Sequence, residues 1–190
     1  IGGRYSVLSE VGMLPAYFMG LKIDRFKKNL LSFFNSKKNL ILIESVVKLA
    51  HIYNSKKIKS IVLLNYSPQL DKFLYWSQQL IAESLGKKEK GILPIISPAP
   101  RDHHSLLQLY LDGPKDKLFY IFSLNLNKKM KINKNIFGKS LRFAENKQLS
   151  KVINSQKKAL IKVLKRKKMP FREFKINKIN EEVLGEPFSY

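Results

Sequence analysis

Residues 58–86 read IKSIVLLNYSPQLDKFLYWSQQLIAESLG. Ile58–Tyr66 is short and β-branched, which suits a strand buried on both faces of a parallel sheet. It runs straight into a helix. Ser67 suits the N-cap, Pro68 the first helical position and Gly86 the position just past the end. Leu70, Phe73, Leu74, Ile81 and Leu85 recur at helical spacing and form an inward face. Gln79 and Glu83 are four apart and share another face, with Trp76 one turn earlier. A carboxylate beside an aromatic ring near a helix end is a candidate general base with a raised pKa. Most glutamates on an amphipathic helix are only solvated, so that role needs support from elsewhere in the chain.

Downstream, the same strand-then-helix alternation continues. Gly91–Ile96 is a second strand candidate. The loop Ser97–His104 follows, rich in turn residues and titratable groups. Ser105–Leu111 reads as a short helix, Leu118–Leu124 as a third strand and Asn127–Lys139 as a polar, basic loop. Leu149–Lys168 is a long amphipathic helix with Val152, Ile153, Ala159, Leu160, Val163 and Leu164 inward. Its basic tail, Lys165–Lys168, complements a helix C-terminal dipole. Phe171–Ile176 is a fourth strand, and Asn180 caps a last helix.

Upstream, Gly2–Ser6 reads as a tight turn. Its glycines let backbone approach a ligand closely and aim N–H groups at an anion. Arg4 then sits at the mouth of the next helix. Ser6–Gly20 is apolar on most sides, which predicts a buried helix with Pro15 as a kink. Asp24–Phe34, with Asp24 as N-cap, and Leu40–Tyr53, with His51 near its end, are further helices. Strands alternating with helices argue for an α/β fold with a mainly parallel sheet. Ligands in such sheets sit outside the carboxyl ends of the strands, so the loops after Leu64 and Ile96 are the first places to look.

The length of 190 residues predicts one domain with a real core. No apolar run approaches the length of a membrane span. The start, Ile1-Gly2-Gly3-Arg4, lacks a methionine and the order of a signal peptide, so the chain is expected to begin inside a longer protein. There is no cysteine, which excludes disulfides and thiolate chemistry and is compatible with a reducing cytoplasm. The net charge of +22 points in principle to nucleic acid or an anionic surface. Lysines are spread over every segment, however, and asparagine and isoleucine are also abundant. A coding bias is therefore the first reading, steering of phosphorylated small molecules the second and nucleic acid the third.

Three histidines, no cysteine and no H-E-x-x-H spacing leave no zinc site. There is no G-x-G-x-x-G, no Walker loop and no G-x-S-x-G elbow. What remains is one carboxylate, one or two histidines (His103, His104) and one arginine beside a glycine pair. That set suits proton abstraction next to a carbonyl.

On these residues a resemblance becomes specific. Gly2-Gly3-Arg4-Tyr5-Ser6 resembles the G-G-R-[FY]-S signature of the glucose-6-phosphate isomerase family. Gln78–Lys87 is similar to its Q-Q-x-x-x-E-S-x-G-K segment, and Arg101–Tyr110 to the bacterial R-D-Q-H-S-L-L-Q-L-Y segment. The three motifs stand in the family's order over about the first sixty per cent of the chain. The resemblance implies interconversion of glucose 6-phosphate and fructose 6-phosphate through a cis-enediolate, in glycolysis and gluconeogenesis. It implies Glu83 as the base between C1 and C2, Arg4 as the enediolate stabiliser and His104 as the aid to ring opening. Gly3 and Gln79 contact substrate, and neither metal nor cofactor is needed.

It further implies a flavodoxin-like sugar-isomerase (SIS) domain, a parallel sheet sandwiched by helices, over residues 1–190. That domain corresponds to the second half of a two-domain cytoplasmic enzyme. The expected partners are the sugar phosphate and a second subunit, since the family's dimer sends this histidine into the neighbour's site. One position departs from the pattern: His103 stands where the family has glutamine. The family's Ser/Thr-rich phosphate loop and its D-Q-x-x-V-E-x-x-K segment have no counterpart in the 190 residues, so this chain alone is expected to be inactive. The alternative is a non-catalytic sugar-phosphate-binding SIS module, and a basic nucleic-acid-binding domain comes third.

Overall fold

The computed structural model describes residues 3, 5–28, 38–125, 131 and 147–183. Ile61, Val62, Leu63 and Leu64 have almost no exposed surface, as the β-branched run requires of a central strand. They form β1 (Ser60–Asn65), flanked by β2 (Leu93–Pro98) and β3 (Lys117–Leu124), with β4 (Phe171–Ile176) outside β3. The order β2-β1-β3-β4 matches the first four strands of the flavodoxin-like order. β1 runs parallel to β3 in register Val62↔Phe119, and β3 parallel to β4 in register Phe119↔Phe171. Leu93 N donates to Lys59 O and Ala99 N to Asn65 O, the offset of a parallel β2. The fold is α/β with an all-parallel sheet.

Backbone contacts divide the chain into two compact units. One comprises Ser60–Leu74 and Ile95–Asn177. Residues alternate across its sheet, as strand geometry dictates. On one face Val62, Leu64, Phe119 and Ile121 pack with Leu160 and Leu164 of the long helix α7 (Leu149–Arg166) and with Tyr110 of α6 (Leu107–Asp112). On the other, Phe122 stacks on Phe174 at 4.8 Å, with Phe73 edge-on at 6.5 Å from Phe122. The Arg172 guanidinium lies 5.1 Å from the Phe174 ring centre. The α7 stripe differs from expectation at two positions: Ala159 is exposed, and Lys157 takes a buried place between Ile153 and Leu160.

The other unit comprises Ile1–Lys59, Tyr75–Pro94 and Lys178–Tyr190. It holds α1 (Glu10–Phe18), α2 (Ile23–Lys27), α3 (Lys38–Asn54) and most of α4 (Asp71–Leu85). α1 continues through Pro15 and buries Met13 and Ala16 only. Val11, Leu14, Tyr17 and Phe18 are exposed, so this helix does not have the all-round burial its composition predicts. Asp24 lies in the first turn of α2, after an N-cap at Lys22. Lys28 pairs with Glu182 at 3.0 Å, and Asn180 Oδ1 accepts from Val183 N at 3.0 Å, the cap expected there. The predicted parts at 29–34 and 127–139, Lys131 apart, and the helix beyond Val183 lie outside the described residues.

The start of α4 corrects the simple N-cap reading. Pro68–Leu70 forms a 3₁₀ turn before Asp71, and Ser67 makes no side-chain cap. Its hydroxyl accepts from Leu124 N at 2.8 Å instead. Asn65 Oδ1 accepts from Ser67 N at 2.9 Å, while its amide donates to Asp71 at 2.8 Å. A buried hydroxyl serves the group that would otherwise lack a partner, here a strand-end N–H rather than a helix N–H. At the far end, Leu85 is 40% exposed, so the inward face fades in the last turn. Among the described residues no helix is long and apolar enough to cross a membrane.

Candidate active site

Helical spacing brings Gln79 and Glu83 together on α4: Gln79 Nε2 donates to Glu83 Oε1 at 2.9 Å, and both side chains reach solvent. At about 1.5 Å per residue, Glu83 stands roughly 18 Å along α4 from Asp71. It is therefore far along the helix rather than in the loop that follows β1. The next residue carries a link the sequence did not suggest. Tyr5 Oη donates to Ser84 Oγ at 2.6 Å. The turn of Gly3–Ser6 thus rests on the helix end that bears the carboxylate.

That turn has the geometry its glycine allows. Gly3 has φ +109°, a conformation side chains rarely adopt, and nothing lies within 4 Å of where a Cβ would stand. Ser6 N and Ser6 Oγ both donate to Gly3 O, at 3.1 and 2.6 Å, and Ser9 Oγ donates to Ser6 O at 2.8 Å. Arg4, between Gly3 and Tyr5, lies outside the described residues. Behind the carboxylate, Gln78 Nε2 donates to Pro94 O at 2.9 Å and ties α4 to the start of β2. Each of Tyr5 and Ser84 adjoins a candidate catalytic residue, but they are 79 residues apart and nothing in the sequence pairs them.

His103 and His104 belong to the other unit, on the short helix α5 (Asp102–Ser105). Asp102 is buried beneath them. It accepts from Ser97 Oγ at 2.9 Å, from Ser105 Oγ at 3.2 Å and from Arg101 Nε at 3.3 Å. His103 Nε2 lies 2.7 Å from Tyr66 Oη. Burial lowers the His103 pKa, against an opposing pull from Asp102, and burial raises that of the Tyr66 phenol. Between a neutral ring and a protonated phenol, the imidazole tautomer sets which of the two donates. His103, which stands where a glutamine is usual in the motif, thus keeps a hydrogen bond. It also leaves His104 as the exposed ring of the pair. Ser97, Arg101 and Ser105 are local partners of Asp102, whereas Tyr66 reaches His103 from the end of β1, a pairing that no local spacing in the sequence signals.

No protein-family model matches the chain. Among individual proteins, it is 33% identical to glucose-6-phosphate isomerase of Methanocaldococcus jannaschii over 97% of this chain and 47% of that protein. It is 38% identical to glucose-6-phosphate isomerase of Campylobacter jejuni over 82% of this chain and 40% of that one. The probable glucose-6-phosphate isomerase of Methanococcus maripaludis is 32% identical over 99% of this chain and 43% of its own length. A hypothetical protein of Thermus thermophilus superposes with TM-score 0.81 over the whole chain and 47% of its own, at 23% identity, a likeness of fold. The chain spans about half the length of the curated relatives it matches. With its three motifs, its parallel α/β fold and this similarity along nearly all of its length, the chain is a partial glucose-6-phosphate-isomerase-like domain.

Proposed function

We propose that the chain is the second SIS domain of a glucose-6-phosphate isomerase, acting on glucose 6-phosphate and fructose 6-phosphate in the cytoplasm, in glycolysis and gluconeogenesis. The observation that carries this reading is the Tyr5–Ser84 hydrogen bond, which ties the turn between Gly3 and Ser6 to the helix end bearing Gln79 and Glu83. Glu83 removes the proton from C2 of the open-chain aldose and returns it to C1. Arg4 holds the enediolate oxygens, and Gly3 and Gln79 contact the sugar. A positioned base contributes about 10²–10⁴ in rate. A fixed donor at the oxyanion contributes about 10²–10³ more. His104 serves ring opening in the neighbouring subunit of a homodimer, a role that suits an exposed ring. Neither metal nor cofactor takes part.

Sugar phosphate is held in register by its non-reacting phosphate, and in this reading that group binds outside residues 1–190. The test is a coupled assay for fructose 6-phosphate formation, run on the protein that joins this domain to its companion half and on residues 1–190 alone. Turnover by the joined protein, none by the chain alone and loss on His104→Ala support the proposal. Sugar-phosphate binding by the joined protein without turnover supports the non-catalytic module instead.

A further inference from the structure

A second polar concavity lies within the sheet-bearing unit and shares no residue with the Gln79–Glu83 pair. The carboxyl ends of β3 and β4 and the first turns of α7 enclose a cleft of about 120 Å³. Ser123, Asn125, Asn154, Lys157, Lys175 and Asn177 line it. Its centre is a lysine with only 8% of its side chain exposed, on the core face of α7. Lys157 Nζ donates to Ser123 Oγ at 2.8 Å and lies 2.9 Å from Glu173 Oε1. The other carboxylate oxygen of Glu173 lies 3.3 Å from Lys175 Nζ.

The cleft is rich in hydrogen-bond donors. An ammonium has three N–H groups, and Lys157 uses two of them on Ser123 and Glu173. The Ser123 hydroxyl accepts from Lys157 and keeps its own proton to give. Three asparagines, each with an amide that can donate, and Lys175 line the same space. Glu173 has one oxygen turned to each lysine, so the group of Lys157, Lys175 and Glu173 keeps a net positive charge. A buried lysine is not explained by stability alone, because an apolar residue of similar size commonly does as well as a buried ion pair. The cleft also stands outside the carboxyl ends of parallel strands, where α/β sheets receive ligands. Its volume is well below the roughly 300–1,000 Å³ that encloses a drug-sized molecule. It has room for one small group.

We propose that this cleft binds a small oxyanion, a phosphate or carboxylate group, through Lys157, Ser123 and the amides of Asn125, Asn154 and Asn177. The test titrates the full chain with inorganic phosphate and, separately, with acetate, against sodium chloride of matched ionic strength. The side-chain amide NMR signals of the three asparagines are followed throughout. Saturable shifts at these amides are expected with at least one oxyanion and not with chloride. Tighter binding of phosphate than acetate assigns a phosphate group, and the reverse order a carboxylate. Lys157→Met is expected to weaken binding at least about tenfold, the loss of one charge-assisted hydrogen bond. Asn154→Ala combined with Asn177→Ala changes exposed positions and leaves the core intact. That pair is expected to weaken binding about threefold or more. Shifts reproduced by chloride, or undiminished in the double asparagine variant, overturn the proposal.

Discussion

Lys88 and Glu89 have φ of +51° and +59°, the left-handed pair that a tight hairpin turn demands, between the bridged residues Lys87 and Lys90. Neither is glycine, so each holds a conformation costing roughly 1–2 kcal/mol for an L-residue. Three positions earlier the opposite case applies: a Cβ on Gly86 would stand 2.5 Å from Ala82 O. Glu89→Gly is therefore expected to raise the urea midpoint, by up to about 1 kcal/mol in stability. Gly86→Ala is expected to lower it by on the order of 1–3 kcal/mol. Equal effects of the two substitutions would contradict this reading of the turn. Glu173 makes a residue-scale prediction in pH. Burial pushes its carboxyl up, but the hydrogen bonds and charges of Lys157 and Lys175 outweigh that and hold it below the ordinary value. Its folded pKa thus lies below its unfolded one, so its stabilisation is present above about pH 4.5 and is lost as pH falls through the folded value. Urea unfolding of wild type and Glu173→Gln should differ most above pH 5 and converge toward pH 3. A constant gap over that range would remove the ion pair from the acid response.

Among the elements, β1 was the easiest to read, because four consecutive large apolar residues have only one place to go in a parallel sheet. α4 was legible from its flanking Pro68 and Gly86, although the route into it was not. Ser67 carries the chemistry of a cap, and nothing local shows that Leu124 N, far along the chain, claims its hydroxyl. α7 shows a related limit. Its stripe of Ile153, Leu160 and Leu164 was visible, and helical spacing puts Lys157 in the same stripe. A lysine is seldom buried without a partner, and the pairing with Glu173 on β4 accounts for its place there. α1 errs in the other direction. Apolar residues all round predict burial, yet Met13 and Ala16 are the residues of this helix that are buried. In the candidate site, the Gln79–Glu83 pair followed from a spacing of four, while Tyr5–Ser84 and Tyr66–His103 needed the tertiary fold.

For the molecule as a whole, the charge of +22 is the property most open to misreading. Lysines spread through every segment should attract duplex DNA weakly, through phosphate contacts alone, with affinity falling steeply as salt rises. Submicromolar, sequence-selective binding at physiological salt would favour a nucleic-acid role over the isomerase reading. That isomerase reading depends on Glu83 moving a proton between two carbons, and isotope exchange follows that step directly. Fructose 6-phosphate is incubated in D₂O with the protein joining this domain to its companion half, as wild type and as Glu83→Gln, and NMR records deuterium bound to carbon. Wild type should introduce deuterium at the exchanging carbon. Glu83→Gln should do so at least about two powers of ten more slowly while binding the sugar phosphate with little change. Exchange by Glu83→Gln at the wild-type rate would contradict the assignment of Glu83 as the base.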